Sequence, residues 1–138
     1  MTSEEIRNAN RAYLNAFDKW LQDKGLTSKT ITRHISNVDF YINYYLADYL
    51  GEEAMQGCYQ VDSFLGDWFI RKAMWSSGSH TKASAASFKK FYACMLEKGF
   101  VAEDDYDFLC ETIRDNMDKW LDAMRRYNDL DEEYFYDF

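Results

Sequence analysis

The chain has 138 residues, no proline, six glycines and a formal net charge of −8, from 24 Asp/Glu against 16 Lys/Arg. A hydrophobic content of 47% excludes wholesale disorder, the length suits a single domain, and the scarcity of turn formers favours long helices over a sandwich or barrel. The charge is uneven: residues 1–99 carry 12 Lys/Arg and 11 Asp/Glu, residues 100–138 carry 4 and 13, so acidity excludes generic phosphate binding only from the C-terminal part.

A first helix is predicted over 3–24. Thr2 and Glu5 have capping-box spacing. Ile6, Tyr13, Leu14, Phe17, Trp20 and Leu21 form an apolar stripe, and Gly25 supplies the stop. Thr27 or Ser28 caps a second helix, 28–50. Its stripe is Ile31, Ile35, Val38, Ile42, Tyr45 and Leu46, widened by Tyr41, Tyr44 and Tyr49. A third helix over 62–74 takes Asp62 as its N-cap and turns Phe64, Leu65, Trp68, Phe69 and Met74 inward. After a loop at 76–79, a fourth helix starts near Ser79 to Lys82 and ends at Gly99. Its small residues, Ala83 to Ser87, let another helix or a DNA backbone approach closely. Glu103, Asp104 and Asp105 open a fifth helix near 104–126, where negative charge suits the N-terminus. Asn128 is expected to cap it, leaving an acidic and aromatic tail over 129–138. Trp20, Ile35, Phe91 and Leu96 are expected in the core.

Chemistry-bearing motifs are sparse. Cys58, Cys94 and Cys110 lack CxxC spacing and read as reduced, buried thiols. His34 and His80 stand 46 residues apart without ligand spacing, so no metal site is expected. Glu111 with Asp115, and Asp118 with Asp122, share helical faces but lack the Glu-x-x-His element of di-metal bundles. The glycines form no phosphate loop, and no nucleophile elbow accompanies either histidine. No run is apolar enough for a membrane span, and the polar start is unlike a signal peptide. The expectation is a cytoplasmic, non-enzymatic protein without cofactor or membrane partner.

Three stretches carry a resemblance. They are Phe17 through Ile31 (FDKWLQDKGLTSKTI), Val61 through Leu65 (VDSFL), and Lys82 through Gly99, with FKKFYACMLEKG at its end. Over about two-thirds of the chain this resembles the N-terminal core-binding (SAM-like) domain of tyrosine recombinases, the phage integrases. The likeness implies an all-α, compact bundle of about five helices and a domain that clamps one face of a DNA duplex. It places DNA-facing positions at the starts of the second and fourth helices: Thr27, Ser28, Lys29, Thr30, Arg33 and His34, with His80, Thr81, Lys82, Ser84 and Ser87. Lys89 and Lys90 extend the patch. Hydroxyls, lysines and helix N-termini are the groups that phosphate contacts use, and Arg33 has the reach for a base edge.

Two departures qualify the likeness. The 39 residues after Gly99 are too few for the family's catalytic domain, and Phe100 leads into an acidic helix where family members commonly have a proline. The expected organisation is one helical domain over 1–128, core-binding-like over 1–99 with the acidic helix over 100–128, then the tail. The reading that follows is a non-catalytic module for duplex DNA, accessory to recombination or a mobile element. The alternative is a protein-interaction module in which Asp118, Asp122, Asp129, Asp131, Glu132, Glu133, Tyr134, Phe135, Tyr136 and Phe138 bind a basic partner surface.

Overall fold

A computed structural model describes residues 1–72 and 77–136, with the side chains of the last helix described through Asp129. The described residues form an all-α bundle. Helix α1 spans Ser3–Asp23. Helix α2 covers Ser28–Asp39 and continues directly as Phe40–Leu50. A 3-10 turn, Ala54–Tyr59, precedes α3. That helix runs over 61–72 in three stretches, Val61–Ser63, Phe64–Trp68 and Phe69–Lys72. Helix α4 is Gly78–Glu97 and α5 is Glu103–Tyr136.

Local chemistry sets most boundaries. The Thr2 hydroxyl accepts from the Glu5 backbone N–H and the Glu5 carboxylate reaches back, completing the capping box. At the other end Gly25 adopts φ 81°, and Leu26 N–H returns to the Leu21 carbonyl, the left-handed closure that glycine allows. Gly99 closes α4 in the same way, at φ 80°. Ser77 caps α4 by accepting the His80 N–H, so the helix begins a little earlier than expected, at Gly78. Asp62 does not cap α3. It lies in the first turn, and its carboxylate accepts the Trp120 indole N–H at 2.7 Å, tying α3 to α5.

Two segments, Phe40–Leu50 and Phe64–Trp68, are π-helical. The wider turn brings residues four apart more nearly into line. Tyr41, Tyr45 and Tyr49 accordingly stack in sequence, with ring centroids 5.9 and 5.7 Å apart. Phe64 and Trp68 do the same at 5.6 Å. The two segments meet at the core: Tyr41 packs on Phe64 at 4.9 Å and on Phe88 of α4 at 4.4 Å. Aromatic pairs at such separations add to the area term.

The 3-10 turn is held by two buried tyrosines. Tyr41 donates its hydroxyl to the Gly57 carbonyl, and Tyr92 donates to the Ala54 carbonyl at 2.7 Å. A β-carbon at Gly57 would overlap the Tyr92 hydroxyl, so close approach explains this glycine. Phe91 is fully buried, as expected. Trp20, Ile35 and Leu96 are instead half-buried at the rim, and Tyr44 and Tyr49 are exposed. Phe64, Leu65 and Phe69 are buried, Trp68 is half-buried, and Met74 lies outside the described residues.

The last helix is longer than the sequence suggests. Met124 is its last buried position among the described side chains, yet the helix passes through Asn128 and reaches Tyr136. Asn128 therefore caps nothing, and most of the segment expected as a tail is helical backbone. No helix among the described residues is long and apolar enough to cross a membrane.

Candidate nucleic-acid interface

Helices α2 and α4 pack antiparallel, and along the first half of α2 polar residues cross the contact. His34 Nδ1 and the Ser87 hydroxyl are 2.7 Å apart, and Asn37 donates to the same hydroxyl at 3.0 Å. Further along α2, Ser36, Asn37 and Phe40 line a small cavity with Ser84 and His80 of α4. Positions 34, 37 and 40 thus descend past 87, 84 and 80. Because the helices run in opposite directions, their N-terminal ends lie at opposite ends of the pair. The expected DNA-facing positions of α4 span about 15 Å from His80 to Lys90 at 1.5 Å per helical residue, with Lys82 and Lys89 half a turn round from Ser84 and Ser87 and so off the seam itself.

Only some of those positions face outward. Lys29, Arg33, His80, Lys82, Lys89 and Lys90 are exposed, as are Thr27 and Ser28. The Thr27 hydroxyl is the α2 cap, accepting the Thr30 N–H, and the two threonine hydroxyls bond to each other at 3.0 Å. His34, Thr81, Ser84 and Ser87 are buried. Of these, His34 and Ser87 join the two helices, whereas the other hydroxyl bonds stay within α4 and its cap: Thr81 donates to the Ser77 carbonyl at 3.1 Å and Ser87 to the Ala83 carbonyl at 3.0 Å. Small hydroxyl residues let the backbones close on each other, which is the helix-packing use of the Ala83 to Ser87 run.

Ser87 has one hydroxyl proton and two acceptors within reach, the Ala83 carbonyl at 3.0 Å and His34 Nδ1 at 2.7 Å, while Asn37 donates to its oxygen. The His34 pKa is lowered, first by burial and then by the positive charges of Lys90 and Arg33. Both cations therefore flank this seam from opposite helices. Lys29 lies one turn before Arg33, and Lys82 lies two turns before Lys89, so each pair shares a face of its helix.

Ten of the sixteen cations enter no ion pair among the described residues, Arg11, Lys19, Lys24, Lys72 and Lys98 as well as the five of the basic strip, Lys29, Arg33, Lys82, Lys89 and Lys90. By contrast, Arg7 pairs with Asp48, Arg71 with Asp67, Arg114 with Asp115 and Lys119 with Asp62. On α5, Arg125 and Arg126 both engage Asp122. Helix α4 packs against both α2 and the acidic α5, and its Lys89 and Lys90 line a recess shared with Tyr106 of α5.

Of the residues expected to bind a basic partner, Asp118 and Asp129 are exposed and Asp122 is half-buried. The side chains of Asp131, Glu132, Glu133, Tyr134, Phe135 and Tyr136, and the whole of Phe138, lie outside the described set. Among the described residues no group of three or more His, Cys, Asp or Glu is placed to hold a metal ion. Cys58 and Cys94 are buried, and burial pushes the Cys58 thiol up to about 12. Asn37 was not singled out in the sequence, although its place three residues after His34 puts it on the same helical face. No protein-family model, curated protein or solved structure matches the chain.

Proposed function

We propose that this protein is a non-catalytic DNA-binding module, related to the core-binding domain of tyrosine recombinases and working in the cytoplasm as an accessory to recombination or a mobile element. The observation that carries the reading is the pair of cations flanking the α2/α4 seam, Arg33 and Lys90, neither in an ion pair among the described residues, with Lys29 on the Arg33 face of α2 and Lys82 and Lys89 on the neighbouring exposed face of α4. A cation already held by a carboxylate gains little from a phosphate, whereas a free one releases condensed counterions when it docks. Arg33 and Lys90 flank the seam, and the α2/α4 contact beneath them sets their spacing. The buried His34, Thr81, Ser84 and Ser87 act as the scaffold of this surface and not as contacts.

The test is fluorescence anisotropy with a labelled duplex at about 50 mM salt, where a cluster of phosphate contacts is strongest. Joint replacement of Lys29, Arg33, Lys82 and Lys89 by glutamate abolishes binding on this reading. Unchanged binding by that variant would end it.

The second reading, an acidic surface for a basic protein, is favoured by one feature. Helix α5 continues for 12 residues beyond Met124, and its described side chains there, Arg125 to Asp129, are all exposed. Loss of a protein complex on removal of residues 129–138, with the charge reversals leaving that complex intact, would favour this second reading.

A further inference from the structure

A recess of about 370 Å³ opens beside the basic strip, lined by Trp20 from the end of α1, Ala86, Lys89, Lys90 and Ala93 from α4, and Tyr106 from the start of α5. We propose that it receives a single unstacked nucleobase, so that the nucleic acid bound best is a duplex carrying an unpaired nucleotide. The proposal rests on the DNA-binding reading and specifies what that surface selects.

Its walls and floor come from three helices. On the outward side of α4 the methyl groups of Ala86 and Ala93 stand two turns apart, with the two lysines between them. The floor is therefore low between the alanines, and Trp20 and Tyr106 line the recess with the two lysines. Trp20 is a fixed wall: its indole N–H donates to Glu97 Oε2 at 2.7 Å, its ring packs on Phe17, and the Lys24 ammonium lies 4.9 Å from its ring centroid. Tyr106 also lines the recess, and burial, then Cys110 and Asp107, push its phenol up to about 12.

The charges give the recess a direction. Lys89 and Lys90 enter no ion pair among the described residues, and Glu97 is engaged by the Trp20 indole. A phosphate is therefore favoured beside the lysines and an uncharged flat group against the aromatic side chains. Aromatic platforms beside cations are the sequence-tolerant means of holding an unstacked base, and the volume falls in the range of small-molecule sites. A paired base inside an intact duplex cannot enter without leaving its stack.

Three labelled duplexes of one sequence test this by anisotropy: fully paired, with one bulged thymidine, and with an abasic residue at the bulge. The abasic control retains the bend and the phosphates and lacks only the base. Binding to the bulged thymidine is expected to be about 5- to 150-fold tighter than to the abasic duplex, the range for stacking on an aromatic side chain. Replacing the exposed Ala86 by leucine fills the recess, and it should bring thymidine down to the abasic level while leaving the paired duplex unchanged. Tyr106→Ala, with its fold checked by circular dichroism, should do the same. Equal affinity for thymidine and abasic bulges, with the paired duplex still bound, overturns the recess and leaves DNA binding standing. Failure to bind any of the three overturns both.

Discussion

The two halves of α2 do different work. The second half, Phe40–Leu50, is π-helical and meets α3 and α4 through aromatic rings, with Tyr41, Tyr45 and Leu46 buried. The first half, Ser28–Asp39, meets α4 through His34 and Asn37 and keeps Lys29 and Arg33 in solvent. Burial of large rings stabilises by several kcal/mol each, while solvated cations contribute almost nothing to folding. Stability and surface charge are thus segregated along one helix, so each can be altered without the other.

The largest expected effect lies at the α3 ring on which the aromatic half packs. Phe64 touches Phe40, Tyr41, Tyr45, Trp68, Phe69 and Phe88, and Phe64→Ala should cost about 3–5 kcal/mol in urea denaturation. A loss near 0.5 kcal/mol would break the division between the halves. Gly57→Ala comes next, at about 1–3 kcal/mol from overpacking against Tyr92. Combining it with Tyr92→Phe sharpens the point. The second change alone leaves the Ala54 carbonyl without its buried donor, also about 1–3 kcal/mol, so relief of the clash would show as a double-mutant sum well below the two single costs.

In the polar half the same denaturation experiment should read almost nothing. Arg33→Glu and Lys90→Glu are expected to stay within about 0.5 kcal/mol of the parent, as surface changes usually do. The smallest effect is a pH dependence. The folded-state pKa of His34 lies below its ordinary value, so the unfolded chain binds a proton more readily, and this histidine's contribution is complete above about pH 6.5. It is lost as the pH falls through the lowered folded value. His34→Gln should flatten that part of the pH–stability curve, and an unchanged curve would mean that the ring is not desolvated at the seam.

Much of this division was legible in the sequence where the signals are local. The Thr2 and Glu5 pair, Gly25 and Gly99 act within one helical turn, and the apolar stripes placed all five helices. The π-helical geometry was not legible, because a stripe rich in tyrosine fits either winding and the choice depends on rings contributed by α3 and α4. The same distance effect misplaced Asp62, whose partner Trp120 is 58 residues away. It also hid the burial of His34 and Ser87, which are 53 apart in sequence. Hydroxyls and a histidine near helix starts read as a surface until the antiparallel packing turns them inward. The cations proved easier to place, since exposed Lys and Arg at helical spacing need no distant partner.

The salt dependence of duplex binding tests the central claim, that unpaired cations along the α2/α4 seam contact phosphates, most directly. Plots of log affinity against log salt for the parent, Arg33→Gln and Lys90→Gln should be linear, with each substitution lowering the slope by about 0.9 for one lost phosphate contact and leaving the melting temperature unchanged. A parent protein that shows no salt dependence, or variants whose slopes equal that of the parent, would contradict it.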